Sequence, residues 1–342
     1  MKLKKILPLG LGFVGACQLA FAQVPGANRQ VDSVEQRRQF EQTARLMSIT
    51  NPVPERYAGE ASDVGPQTLL QKKMRRHLFT AFADAQFFYT DNLFLADHDA
   101  HGSAVLVSTV QAAFAPTPFA FSGGELAPRL GYQHQWFNYG LADSDRVLFY
   151  DFKTASFVTN DLDALDFNVQ TFFADTEWRR GHWVFSAGFD YRRLLDSSGY
   201  REFYHEAVPR TGVRREFVLD DSKLVSIGYE GDYRFTESQL PPFGHGTDFN
   251  DRTDHSLVVI GSWRLCEHAF LQPSYRLQYS YFPNVNRQDW LNTVALALYC
   301  PLTPNIALRI FASYDTLHTD GFYTQSYDRF DLGGGVNLSV SF

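Results

Sequence analysis

"GGGVNLSVSF", residues 333–342, ends the chain, and its reading decides the fold. Val336, Leu338 and Val340 are apolar, Asn337, Ser339 and Ser341 between them are polar, and Phe342 closes the run. Side chains two apart share a face in a strand but not in a helix, so this is a strand with one greasy face.

Composition says what kind of sheet such a strand belongs to. At 44% hydrophobic and 20% charged residues over 342 positions, the chain is too apolar for disorder. Aromatic residues make up 15%, with 31 Phe, and they are dispersed among polar ones rather than gathered into spans. Beyond residue 22 no stretch supplies the roughly 18 apolar residues that a membrane helix needs. The remaining way to cross a bilayer is a closed β-barrel, whose wall pairs every backbone group and whose lipid-facing residues merely alternate with lumen-facing ones.

The N-terminus reads as a bacterial secretory signal over residues 1–22. Lys2, Lys4 and Lys5 precede an apolar stretch (6–16), and Ala20-Phe21-Ala22 is a small-x-small cleavage site. A rival reading makes Val14-Gly15-Ala16-Cys17 a lipobox with Cys17 lipidated. Cleavage after Ala22 removes three lysines and takes the formal charge from −7 to −10, an acidic balance without the basic footprint of a nucleic-acid binder. Residues 23–76 form a periplasmic segment. "VDSVEQRRQFEQTARLMS" (31–48) permits a helix capped by Asp32 or Ser33, and the Pro- and Gly-containing "NPVPERYAGEASDVGPQ" stops it. Its apolar positions form no clean stripe, which favours a solvated linker over a lumen plug or a partner-binding helix.

From residue 77 to 342 the alternation repeats, predicting an all-β, up-and-down antiparallel barrel. Candidate strands fall at 78–89, 103–115, 125–138, 162–179, 182–195, 210–219, 222–237, 253–264, 267–282, 288–300, 303–317 and 327–342. Every second connection is short, as expected of periplasmic turns facing longer external loops. Gly123-Gly124 and the stretch 210–219 are the weakest points, so ten or fourteen strands stay open beside twelve.

A terminal Phe closing an alternating strand resembles the assembly signal of Gram-negative outer-membrane proteins. That resemblance gives Phe342, Val340 and Leu338 the role of a signal read by the barrel assembly machinery. "ADAQFFYTDNLFLA" (83–96), with Tyr89-Thr90-Asp91-Asn92 at the strand end, resembles the opening of the β-barrel porin-2 family. That resemblance implies an outer-membrane pore, some members being associated with polysaccharide export. Outer-membrane lipids, lipopolysaccharide and a polysaccharide are then the expected partners, and no cofactor is implied.

Parity assigns a lumen-facing set: Asp84, Arg129, Asp166, Asp190, Arg192, Glu230, Asp232, Arg234, Arg276, Arg309, Asp315, Arg329 and Asp331, with Gln and Asn residues including Asn168 and Gln170. Two readings stay open: a polar conduit for hydrophilic solutes, or a lumen closed by these charges pairing across it. A catalytic barrel needs a Ser and a His on neighbouring strands. His134 faces outward, Ser103 sits near its expected partner position with the wrong parity, and no enzyme is expected. His101, His205 and His245 fall in loops without zinc spacing, so no metal site is expected.

Once the signal is removed, Cys266 and Cys300 are the remaining cysteines, in an oxidising compartment. If strands 267–282 and 288–300 pair antiparallel about the tip "YFPNVNRQ", the two residues share an index sum of 566 and face each other at the open end of the hairpin. A disulfide between them is expected.

Overall fold

In the computed structural model the described residues are 26–39, 77–98, 100–141, 146–151, 156–239, 246–266, 268–321 and 324–342. The signal with Cys17, residues 40–76 of the linker, and His245 lie outside them. One helix, α1 (26–39), precedes fifteen strands. These are β1 (Phe79–Thr90), β2 (Ser103–Phe114), β3 (Phe119–Phe121), β4 (Gly124–Tyr139), β5 (Arg146–Asp151), β6 (Ser156–Asp161), β7 (Phe167–Arg180) and β8 (Trp183–Asp196). They continue as β9 (Glu202–Asp220), β10 (Lys223–Ser238), β11 (Arg252–Cys266), β12 (Ala269–Phe282), β13 (Arg287–Pro301), β14 (Ile306–Thr319) and β15 (Tyr327–Ser341).

The C-terminal stretch lies at the seam of the wall. β15 pairs antiparallel with β1 from Thr80↔Ser341 to Thr90↔Asp331, and with β14 on its other side. β1 also pairs with β2, β2 with β4, and neighbours follow in sequence from β7 to β15. The circuit closes through twelve wall strands, all antiparallel, as the alternation predicts. β3 folds back on the start of β4, and β5 and β6 make a separate hairpin in the connection between β4 and β7. All long connections emerge at one end, the loop end, together with the short ones at 197–201 and 283–286, and the other end carries the turns at 181–182, 221–222 and 302–305, with Phe342.

The glycines of the opening stretch have a steric reason. Gly333 pairs with Phe88, and a Cβ there would stand 2.3 Å from the Phe88 Cβ. β15 approaches β1 too closely for any side chain. The doubtful Gly123-Gly124 makes the tight turn between β3 and β4, where Ser122 and Gly123 have φ of 48° and 75°.

The two faces of the wall separate by chemistry. Ile310 is 61% exposed, whereas its neighbours Arg309 and Phe311 are 2% and 4% exposed. Val336, Leu338, Leu332, Tyr314, Ile227, Tyr229 and Phe172 likewise stand on the outer surface. A belt of this kind is unstable against water and suited to lipid, and the chain is a twelve-stranded barrel of the outer-membrane type.

The strands differ from the sequence reading in some boundaries, β7 starting at Phe167 rather than 162 and β14 at Ile306 rather than 303, and in one parity. β9 begins at Glu202 rather than 210, because Pro209 lies inside the strand. Its β10 ladder runs from Asp232↔Arg210 to Phe235↔Ala207 with no pairs between, which accommodates a residue without an N–H. On β7 the predicted parity is reversed. Phe172 points outward, placing Asn168 and Gln170 on the outer parity, while Phe167, Val169, Thr171 and Phe173 are buried inside.

Candidate functional site

The lumen contains α1. Ala27, Val31 and Val34 fall four and three residues apart and so share one side of the helix, while Asn28, Asp32 and Glu35 share the adjacent one. The first side packs on an apolar sector of wall: Phe88, Val105, Val107, Phe137, Val169 and Leu194 enclose Val31 and Val34, both wholly buried, with Leu93 and Leu162 from the loop end joining them. Gln30 fixes the height of the helix by donating to the Leu93 carbonyl (3.1 Å) and accepting from the Tyr139 hydroxyl (2.5 Å).

The second side meets arginines. The Asp32 carboxylate accepts from Arg192 Nη1 (2.9 Å), Arg234 Nη1 (3.0 Å) and Arg252 Nη2 (3.4 Å). Glu35 accepts from the other arm of the same fork, Arg192 Nη2, at 2.5 Å. Behind the arginines stand wall carboxylates. Arg234 Nε contacts Asp232 (3.2 Å) and Asp254 (3.0 Å), and Arg252 Nε contacts Asp254 (2.9 Å). Glu206, wholly buried, accepts from Arg192, Arg234, Tyr204 and Asn28.

The cationic residues of α1 meet the acidic remainder of the wall. Arg29 pairs with Asp289 (2.6 Å) and Arg37 with Asp331 (2.7 Å), the Arg37 guanidinium also lying 4.5 Å from the rings of Phe88 and Phe311. Arg38 donates to Gln133 (2.6 Å), and Gln39 to Glu230 (3.0 Å). These partners place the start of α1 at the loop end and its finish near mid-barrel.

Of the other residues assigned to the lumen, Asp84 accepts from Arg309, Arg329 pairs with Asp315, and Arg129 forks onto Asp175. Asp190 meets Arg210 at 3.3 Å, and Arg276 donates to Ser256. Asp166 is a correction: it lies between β6 and β7, accepting from the Tyr139 amide (2.8 Å) and the Asn138 side chain (3.0 Å). It anchors a loop, and burial raises its carboxyl above the ordinary range. Glu206 and Arg252 fall outside the strands expected from the sequence, the first because Pro209 hides its strand and the second because it precedes 253; Asp254 falls inside the expected strand 253–264 but outside the lumen-facing set.

The expected disulfide does not form: Cys266 and Cys300 are both free. In β12–β13 the pairs share an index sum of 569, as in Phe270↔Tyr299, so Cys300 is level with Ala269 rather than with residue 266. Cys266 belongs to β11 and itself pairs with Ala269. Two strand spacings, about 10 Å, separate the thiol-bearing strands, beyond the reach of about 7 Å for a bridge. His134 lies between Val110 and Gln170 on the flanking strands, and Ser103 pairs with Thr90, so the two do not meet. Phe342 ends the seam, its amide donating to the Phe79 carbonyl (3.0 Å) while its side chain stays exposed.

Between α1 and the wall runs a cavity of about 290 Å³, lined mostly from β7 to β13 and also by Gln111, Arg129, Gln133, Asp315 and Arg329 of the strands beyond them. Its lining includes Phe282 and Arg287 near the loop end and Glu177, Ser186 and Arg214 near the turn end. Eleven arginines and eight carboxylates contribute to it, so both signs face the space with a modest cationic surplus.

No family model matches the chain, and no curated protein matches it. Among solved structures it is similar to an outer-membrane channel of Pseudomonas putida F1 at 9% identity, covering 81% of this chain and all of that one, with a TM-score of 0.47. It is also similar to the β domain of the Bordetella autotransporter BrkA (12% identity, 77% and 100% covered, TM-score 0.41). A third is a bacterial polysaccharide outer-membrane secretin (10%, 78% and 99%, 0.42). At these identities and TM-scores the likenesses carry no argument, and the barrel rests on the strand pairing of this chain.

Proposed function

We propose that the chain is a channel of the outer membrane, closed at rest by its own helix α1, which passes hydrophilic solutes along the charged cavity when α1 moves aside. The observation that carries this is the cavity itself, whose polar lining beside the helix reaches toward both ends of the barrel. A barrel serving only as a scaffold has no need of a charged path beside a plug, because apolar packing fills a narrow lumen at lower desolvation cost. Lipid and lipopolysaccharide contact the outer belt, and export of a polysaccharide uses the same path in the other direction. Membership of the porin-2 family belongs to the same proposal, supported by the motif at 83–96 and by the strand layout over 77–342.

In planar bilayers the full chain should stay mostly closed with brief openings, and a chain lacking residues 26–39 should show steady discrete conductance. Silence of both would overturn the proposal in favour of the second reading, a permanently closed barrel acting through its loops, which the dense ion pairing around α1 favours. Delivery through Phe342 belongs to the same proposal. Its deletion should lower the amount of barrel in the outer membrane, while a barrel refolded in detergent keeps its heat-modifiable band.

A further inference from the structure

The wall arginines at Asp32 are arranged in a way that pairing with wall acids does not require. In Arg234 and Arg252 the Nε edge is held by Asp232 or Asp254, while a terminal nitrogen is turned to the barrel axis. Arg192 divides its terminal nitrogens: Nη1 is shared between the wall carboxylate of Glu206 (2.7 Å) and Asp32 (2.9 Å), and Nη2 goes to Glu35 alone of the carboxylates. The three guanidiniums converge on one carboxylate, and a second carboxylate a helical turn away takes the free arm of the fork. Wall carboxylates hold Arg234 and Arg252 at Nε, and Glu206 shares the terminal nitrogens of Arg192 and Arg234 with Asp32; the remaining carboxylate partners belong to a separate element, α1.

We infer that Arg192, Arg234 and Arg252 form a carboxylate-binding subsite of the channel, occupied in the closed state by Asp32 and Glu35 as internal stand-ins for a solute bearing two carboxylates. The subsite rests on the channel reading for its purpose, and it names the solute class. Exchange of the helix carboxylates for those of a solute leaves the charge of the cluster unchanged, so no new desolvated charge is created, and it preserves the bidentate geometry that guanidinium offers. Asp32 and Glu35 both line the cavity, so a small dicarboxylate reaches the fork through it.

Glutarate is the probe, titrated by calorimetry into the refolded full-length barrel, whose folding is checked by its heat-modifiable band. An internal competitor acts at a local concentration in the millimolar range or above, so Asp32→Ala/Glu35→Ala should bind glutarate about tenfold more tightly than the parent, or better. Adding Arg252→Gln to that variant should remove most of the gain, and dimethyl glutarate should not bind. If the double variant does not fold, Asp32→Asn alone is measured, with a smaller gain expected. Failure of the folded variants to bind glutarate more tightly than the parent overturns the subsite and leaves the channel reading standing. Silent bilayers overturn the channel reading while the calorimetry still reports on the subsite.

Discussion

The two sides of α1 hold the helix by different physics. On one side Val31 and Val34 are enclosed by Phe88, Val105, Val107, Phe137 and Val169; on the other Asp32 and Glu35 face Arg192, Arg234 and Arg252. Apolar contact is indifferent to what else is dissolved in the lumen. Ion pairs are not, because any carboxylate in solution offers the arginines the same bond. Moreover, the charged side carries five carboxylates, Asp32, Glu35, Glu206, Asp232 and Asp254, around its three arginines. Loss of one leaves every arginine with a partner. The apolar side therefore supplies the hold, and the charged side supplies position and exchangeability.

The hardest test of that division is Val34→Asp, which places an unpaired carboxylate in the apolar sector. Burying such a charge costs at least about 3 kcal/mol, so the docked helix should be disfavoured by about a hundredfold or more. Trypsin reads this directly. Arg37 and Arg38 are nearly inaccessible when α1 is docked, and cleavage after them should become rapid in the variant. Cleavage at the parental rate would show that the apolar side does not hold the plug.

Two milder variants separate the sides. Val34→Ala removes about two methyl groups from a sealed contact and should loosen the helix by about 1.5 kcal/mol, roughly tenfold in cleavage rate, equally at low and high salt. Asp32→Asn should loosen it by less than about 1.4 kcal/mol, and salt should narrow its difference from the parent further. Reversal of that order would assign the hold to the ion pairs.

Period two located the wall strands, since a strand buried on one face and lipid-exposed on the other must alternate. Alternation defines two faces without saying which is inside. On β7 the polar face is the lumen side only where the lumen is wet; beside Phe167 and Val169 it is dry, because Val31 and Val34 occupy it, and so these two turn inward. The plug reads as a linker in the sequence for a related reason. Its greasy stripe is only Ala27, Val31 and Val34, too narrow to register as amphipathic, and the rest of its contact is hydrogen bonds and ion pairs to residues as distant in sequence as Asp331. No local pattern encodes such partners. Charged residues on the wall were legible one by one, whereas their convergence on a helix carboxylate depends on how twelve strands close.

Cys266 provides the smallest expected effect and a control for the rest. It lies at the turn end of β11, away from both sides of the helix, and is exposed, while Cys300 is half-buried on β13. With β12 between them no bridge links the strands, so the barrel's stability owes nothing to oxidation. Cys266→Ser should change stability by no more than about 0.5 kcal/mol, as for a surface site free of special contacts, and leave trypsin cleavage after Arg37 and Arg38 untouched. A maleimide should label the folded protein without prior reductant, Cys266 faster than Cys300 in keeping with their exposure. A thiol that appears only after reductant would mean that β11 and β13 approach closer than this register allows, and the placement of α1 against Arg252 on that same β11 would have to be redrawn with it.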